Sequence, residues 1–484
     1  MSADYIAFHA IERPDAVALV DHGRTVTFAA CNQDIRNLTR ALGELGVPRG
    51  GSVALGCDEF YAQWLLLLAL ERLGIATASF GAGEGTASAS LLASVDLVLS
   101  EPHFPAVGAR RHHAITGEWL THVLALDADD HVPALPCSPD DPVRILRTSG
   151  TTGSPKRLLH PRSLHDAWVT RWIVLTGLTH RSRLLLTMSF TVNGMYACAT
   201  ACLRAGGTVV AVDLQEPRDI ALAISGHAIT TLILAPIQIA RVLDALPEGF
   251  VKPPSLTICS FGAAVSSALR SRALTLLATE LIDMYGSNEA GFISSTSSRR
   301  DDGIGAVWPG VRVEIVDERD VPLPLGQMGK IRVKTPDMVQ GYLGDPEATS
   351  RMFKDGWFFP GDLGILHESR RLQIIGRGDD LLNFGGHKLP PEALERAILK
   401  TVTLGDIGVW SVRNADGIEE LFVGVCDAGF DDRELLTRVT EALRPFHVGG
   451  FHAVRLPRIP RNANGKIQRD LLKSMVASGT TFSP

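Results

Sequence analysis

The period of apolar and polar positions changes several times along this chain, and each change marks an element. Val17-Ala18-Leu19-Val20-Asp21 and Thr25-Val26-Thr27-Phe28 read as strands around the turn His22-Gly23-Arg24, predicting a hairpin after a helical entry within residues 1–46. From Ala30 to Leu45 the apolar residues Ile35, Leu38, Ala41, Leu42 and Leu45 recur at helical spacing. A strand at Ser52–Cys57 and an apolar helix at Tyr61–Leu73 repeat the strand-then-helix order, and Ala76–Phe80 and Asp96–Leu99 read as further strands. Such alternation predicts an α/β layer with parallel strands. Residues 100–140 carry little pattern.

After the β-type run Pro142–Leu146, a helix is predicted over Leu164–Leu175. Four buried-strand candidates follow: Arg183–Met188, Gly207–Val212, Thr230–Pro236 and Thr257–Phe261. Each ends in small or loop-forming residues, and in open α/β sheets ligands bind at the carboxyl ends of strands. From residue 304 the pattern shortens to alternating strands such as Arg312–Asp317 and Gly329–Lys334, which predict a small β-barrel or twisted antiparallel sheet. Fresh strand and helix signals begin beyond Gly376-Arg377-Gly378-Asp379. The expected organisation is therefore a large α/β domain over 1–376, a hinge at 377–379 and a small C-terminal α/β domain over 380–484.

Composition narrows the class. An apolar share of 45% with 21% charged residues suits a soluble enzyme, and a net charge of −6 without a basic stripe argues against a nucleic-acid partner. The seven cysteines are odd in number, scattered and free of CxxC pairs, which fits a reducing compartment. Cys198 and Cys202 sit at helical spacing in an apolar stretch, a packing pattern. His112-His113 lack a third ligand at metal spacing. No signal peptide is recognised, and the longest apolar stretch, Trp64–Leu70, is too short to cross a bilayer. The expectation is a soluble cytoplasmic protein without a membrane span; its oligomeric state is left open.

Chemistry concentrates first in Thr148-Ser149-Gly150-Thr151-Thr152-Gly153-Ser154-Pro155-Lys156. Glycines let a backbone approach anionic oxygens, hydroxyls and N–H groups donate to them, and lysine adds a compact positive charge. A polyphosphate loop and a plain surface turn both have this composition. A P-loop requires glycine before the lysine and Ser or Thr after it, where Pro155 and Arg157 stand. The stretch does resemble the signature loop of the adenylate-forming superfamily of acyl-CoA synthetases, nonribosomal adenylation domains and luciferases.

The other motifs of that family follow in its order across roughly residues 15 to 470. Gly262-Ala263-Ala264 resembles its adenine-lining strand end. Tyr285-Gly286-Ser287-Asn288-Glu289 resembles its Tyr-Gly-x-Thr-Glu element, with Asn288 for threonine; the resemblance implies adenine packing by Tyr285 and Mg²⁺ ligation by Glu289. Pro360-Gly361-Asp362 resembles the Thr-Gly-Asp segment, implying that Asp362 accepts both ribose hydroxyls, with Arg377 also reaching the ribose. Asp379 matches the hinge, Gly385 and Gly386 the thiol channel, and Lys388 a place commonly held by arginine. Asn464-Gly465-Lys466-Ile467 resembles the C-terminal motif whose lysine serves adenylation.

The resemblance implies a fold and a reaction. The fold is a large N-terminal α/β domain of stacked sheets, helices and a small β-barrel, with a small mobile C-terminal α/β domain. The reaction is ATP- and Mg²⁺-dependent activation of a carboxylic acid to acyl-AMP with release of pyrophosphate, then transfer to a thiol. Thr148 to Lys156 would hold the pyrophosphate, and Lys466, Thr152 and Glu289 carry the catalytic roles. Amino-acid-activating relatives carry an aspartate near Phe190–Gly194; its absence favours a neutral acyl or aryl acid. Phe190, Asn193, Gly194, Ala235, Pro236 and Phe261 are the candidate pocket residues. The expected acceptor is CoA, with phosphopantetheine on an acyl-carrier protein, or an amine, as alternatives. A non-catalytic nucleotide-binding homologue is the rival from another class.

Overall fold

The computed structural model describes residues 1–82, 88–127, 138–147, 156–297, 303–378, 382–384, 387–402, 406–413, 419–426, 431–446, 450–462, 465–476 and 481–482. Two sheets dominate, each containing a run of parallel strands. The smaller runs His112–Ala114, Leu97–Ser100, Ser52–Gly56, Ala76–Ser79, Pro142–Arg147, Arg157–Pro161. Its first five strands are parallel; the last returns antiparallel and pairs Arg157 with Arg147. The expected polyphosphate loop lies in sequence between these two antiparallel strands. Thr148, Ser149, Gly150, Thr151, Thr152 and Gly153 lie outside the described residues, whereas Lys156 lies inside them.

The larger sheet is centred on β1 (Arg183–Leu185), β2 (Thr208–Ala211), β3 (Thr231–Ile233), β4 (Thr257–Phe261), β5 (Glu280–Ser287) and β6 (Gly291–Thr296). Their spatial order is β6-β5-β4-β3-β1-β2, parallel except for β6. Successive residues point to opposite faces. Leu184 and Val209 enter one apolar core, and Leu185 and Val210 enter another. Both faces are covered, which is why these strands read as continuous apolar runs. Helix α1 (Arg162–Thr176) precedes β1, α2 (Asn193–Arg204) follows β1 and α3 (Pro236–Asp244) follows β3. Helix α1 stops at Gly177, whose φ of +66° closes its C-terminus in the left-handed conformation.

Several boundaries differ from expectation. β1 is shorter than the predicted Arg183–Met188, and Asn193-Gly194, read as a loop, open α2. The patternless stretch holds a strand, His112–Ala114, and a helix, Gly117–Leu124, capped where Thr116 Oγ1 accepts from Trp119 N at 3.1 Å. His112 bonds Ser100 Oγ at 3.0 Å, and His113 packs against Trp119. The strands beyond residue 304 hydrogen-bond onto β6: Ile304–Val307 joins β6 to Arg371–Arg377, which pairs with Asp362–His367 and then Met328–Lys334. Among the described residues these strands belong to one fifteen-stranded sheet.

The C-terminal segment adds a four-stranded sheet (Asp406–Arg413, Glu419–Cys426, His452–Arg455, Thr481–Phe482) and helices Pro391–Thr401, Asp432–Leu443 and Arg469–Val476. It has its own core, including Leu394, Ile398, Val409, Val423, Leu435 and Val439. Among the described residues, no helix is long and apolar enough to cross a membrane. Cys31, Cys57, Cys198, Cys202, Cys259 and Cys426 are buried.

Candidate active site

Register brings the predicted motifs together. Phe261 of β4 lies opposite Met284 of β5, so Gly262-Ala263-Ala264 emerges beside Tyr285-Gly286-Ser287. Ala263 and Ala264 are exposed, so their small side chains leave open surface where a flat ring could lie. Gly286 is required for another reason. A β-carbon there would stand 2.3 Å from Gly291 O, across the irregularity that separates Tyr285 from Gly286 in the β5–β6 hairpin.

Asp362 and Arg377 face each other across their hairpin, and Arg377 Nη1 donates to Asp362 Oδ1 at 3.3 Å and to Pro360 O at 3.0 Å. The Tyr285 hydroxyl donates to Asp362 Oδ2 at 2.5 Å. Burial and the adjacent Asp362 carboxylate push the Tyr285 phenol upward. Expected as an adenine-packing ring, Tyr285 is thus also tied by its hydroxyl to the expected ribose acceptor. Each Asp362 oxygen retains acceptor capacity beyond these single bonds.

A second group forms around Glu289, in the β5–β6 turn. Glu289 is buried, and Tyr342 OH donates to its Oε1 at 3.0 Å. Burial and the Glu289 carboxylate raise the Tyr342 phenol. Lys156, at the end of the expected phosphate loop, places its ammonium 4.9 Å from the Tyr342 ring centroid. Sequence reading passed over Tyr342; its only signal is a tyrosine after Gly341 in a chain with five tyrosines. Buried carboxylates need compensation, and among the described residues no cationic side chain pairs with Glu289. One carboxylate that still has acceptor capacity suits Mg²⁺, which takes one or two carboxylates plus phosphate oxygens and water.

His160 links the two sheets here. It lies in the strand leaving the phosphate loop, and its Nε2 donates to Asn288 O at 2.9 Å. Burial holds its pKa down to about 4, so the ring is neutral near pH 7.

Lys466 is delivered by a tight turn. Asn462 N donates to Lys466 O at 2.9 Å, and Gly465 N donates to Asn462 O at 2.9 Å, with Gly465 at φ +76°. Arg461 braces the turn, donating to Gly465 O at 2.7 Å while pairing with Asp406 at 2.7 Å. This turn meets the large sheet. A β-carbon at Gly465 would lie 2.8 Å from Ala235 Cβ, at the start of α3 and the carboxyl end of β3. Ala235, expected in the pocket, therefore lies against the lysine turn, with Ile237 Cγ2 3.9 Å from the same point, while Pro236, also expected in the pocket, opens α3.

The remaining pocket candidates divide. Phe190 has no exposed surface and packs edge-on against Phe60, Trp64 and Tyr196, so it supports the site from behind. Asn193 and Gly194 lie in the first turn of α2, with Phe261 against Gly194. Arg144, unnoticed in the sequence, is buried and donates to Thr77 Oγ1 at 3.0 Å, Ser79 Oγ at 3.2 Å and Phe190 O at 3.2 Å. Its guanidinium lies 4.6 Å from the Tyr196 ring centroid. Asp379, Gly385 and Gly386 lie outside the described residues, as does the side chain of Lys388.

This constellation at the strand ends defines an adenylate-forming class of site. The AMP-binding enzyme model matches residues 7–343, and the chain belongs to that family. An indoleacetate–CoA ligase of Aromatoleum aromaticum is 28% identical over 379 residues, spanning 75% of this chain and 73% of that one. 4-Coumarate–CoA ligase 2 of Oryza sativa is 26% identical over 540 residues, spanning 98% and 92%. ATP-bound MatB of Rhodopseudomonas palustris superposes with a TM-score of 0.85 over 99% of both chains at 23% identity, which establishes the shared fold.

Proposed function

We propose that this enzyme uses ATP to convert a carboxylic acid, acyl or aryl and without an α-ammonium, to acyl-AMP and pyrophosphate, then transfers the acyl group to the thiol of CoA. The observation that carries the reading is the seating of Gly465 on Ala235, which brings the Lys466 turn to the strand ends that present Tyr285, Glu289 and the Asp362–Arg377 pair. The family's curated relatives act on acids and CoA, by the names they carry.

In this reading Asp362 and Arg377 hold the ribose, and Tyr285 fixes Asp362 while its ring faces the adenine. Lys156 and the hairpin loop before it neutralise the departing pyrophosphate. Glu289 would hold Mg²⁺, which supplies charge compensation to the phosphates. Lys466 offsets negative charge developing between the attacking carboxylate and the α-phosphate, and positioning supplies much of the remaining acceleration.

The thiol must then reach the same carbonyl carbon, beside which the Lys466 turn is seated. The C-terminal domain, 380–484, accordingly turns about residues 377–379 between the half-reactions. A phosphopantetheine thiol on a carrier protein would use the same route.

An acid-library screen for pyrophosphate release, run with and without CoA, tests the proposal. Lys466→Ala should slow acyl-adenylate formation by about 10²–10³-fold and spare thioester formation from supplied acyl-adenylate. No pyrophosphate release with any acid, or equal loss of both steps in the variant, would overturn it.

A further inference from the structure

The extra residue of a β-bulge is left out of the ladder, so its backbone groups need partners from elsewhere. The strand Arg371–Arg377 carries such a bulge just before the hinge. Leu363 faces Gly376 across the hairpin and Gly364 faces Ile374, which makes Ile375 the extra residue. On the strand's other side, pairing with Ile304–Val307 stops at Gln373. At this place the C-terminal segment supplies donors. Arg396, in the helix Pro391–Thr401, donates from Nη2 to Ile375 O at 2.9 Å and from Nη1 to Ile374 O at 3.4 Å. The same segment closes on the strand sterically: a β-carbon at Gly376 would stand 2.7 Å from Pro390 Cβ and 2.5 Å from Glu392 Oε2. Arg469, three residues beyond Lys466, pairs with Glu392 at 3.1 Å and Glu395 at 2.8 Å, which ties this helix to the segment that carries the lysine.

We infer that Arg396 is a positioning residue for the adenylation step, latching the C-terminal domain onto the strand that carries Arg377 so that the Lys466 turn stays seated on the large sheet. Ile374 and Ile375 lie on one side of residues 377–379 and Arg396 on the other, so turning the domain about those residues breaks both bonds. The planar fork of a guanidinium reaches two neighbouring carbonyls at once. Because the donor is charged, each bond is stronger than a neutral one. Water takes the place of Arg396 on the two carbonyls when the domain leaves. This inference rests on the proposed two-step function and adds a residue to its first step.

The test uses the full-length enzyme, with single-turnover pyrophosphate release read beside thioester formation from purified acyl-adenylate. Arg396→Met keeps the apolar stem of the side chain and removes both donors. It should slow acyl-adenylate formation by about tenfold, as for loss of charge-assisted hydrogen bonds, and leave thioester formation at the native rate or faster. Gly376→Ala attacks the same contact from the strand and should give the same split. A residue that acts by placing Lys466 has nothing left to place once the lysine is gone, so in a Lys466→Ala background Arg396→Met should add less than about a twofold loss. Equal slowing of both steps by whichever variant folds, adenylation within about twofold of native, or about a tenfold further loss in the Lys466→Ala background would overturn the inference. So would failure of both variants to fold, which would make the contact a requirement of the fold. If the native enzyme releases pyrophosphate with no acid, the functional proposal falls instead, and the inference with it.

Discussion

Gly465 offers a sharp test of how the Lys466 turn works, because two separate penalties apply there. The first is conformational: at φ +76° a residue with a β-carbon is strained by about 1 kcal/mol. That strain travels with the turn wherever the C-terminal domain sits. The second penalty exists only while the turn is seated on the large sheet. An alanine methyl at 465 would stand 2.8 Å from Ala235 Cβ, where ordinary contacts begin near 3.4 Å. Neither methyl belongs to a flexible side chain, so the backbones must separate, at about 1–3 kcal/mol by analogy with overpacked cores. At about 1.4 kcal/mol per tenfold, Gly465→Ala should slow acyl-adenylate formation by about 10–100-fold. Thioester formation from purified acyl-adenylate should change little. Single-turnover pyrophosphate release beside thioester yield reads both steps. Ala235→Gly removes the opposing methyl, and glycine is well tolerated at a helix N-cap. The double variant should recover most of the loss, because the strain is the same with the turn seated or unseated. Equal slowing of both steps by Gly465→Ala, or a double variant no faster than the single one, would refute the seating of this turn as an adenylation contact.

Three further outcomes are expected. His160 has a native pKa of about 4, below its unfolded 6.5, so between those values the unfolded chain binds more protons and stability falls as pH drops. His160→Gln can keep a donor to Asn288 O without titrating; between pH 7 and pH 5 it should lose about 2 kcal/mol less stability than native in denaturant titrations, and parallel curves would exclude His160 as the cause. Tyr342→Phe removes the hydrogen bond to Glu289, worth about 1.5–3 kcal/mol for a charged acceptor, and should change the Mg²⁺ concentration giving half-maximal pyrophosphate release; an unchanged midpoint and rate would detach Tyr342 from the site. Asp362→Ala leaves Tyr285 and Arg377 without their shared acceptor and should weaken ATP binding, measured calorimetrically, by about 10–100-fold, as for loss of charge-assisted hydrogen bonds; native-like affinity would remove Asp362 from the ribose role.

What was legible in the sequence follows from how each part is stabilised. The central parallel strands are buried on both faces, so they stand out as apolar runs, and their small terminal residues mark the ligand edge. Local motifs such as Tyr285–Glu289 and Gly465-Lys466 survive as contiguous strings. Arg144 was hidden because a charged residue inside a β-run reads as surface, whereas here hydroxyls, a carbonyl and a tyrosine face surround it. Tyr342 meets Glu289 across 53 residues of sequence, with no periodicity to announce it. The strands beyond residue 304 were ambiguous for another reason. Alternation predicts an antiparallel strand but not whether its edge closes on its own hairpin or continues a neighbouring sheet.

Arg144 has a consequence for recombining this chain with relatives. It extends from a strand of the smaller sheet to hydroxyls on Thr77 and Ser79 and to the carbonyl of Phe190, at the mouth of the larger sheet. A chimera joined between residues 147 and 183 would inherit the guanidinium from one parent and Phe190, with the Tyr196 ring, from the other. Crossovers there succeed only when both parents present a carbonyl and an aromatic face in the same places. A junction after α2 keeps the whole arrangement in one inherited block.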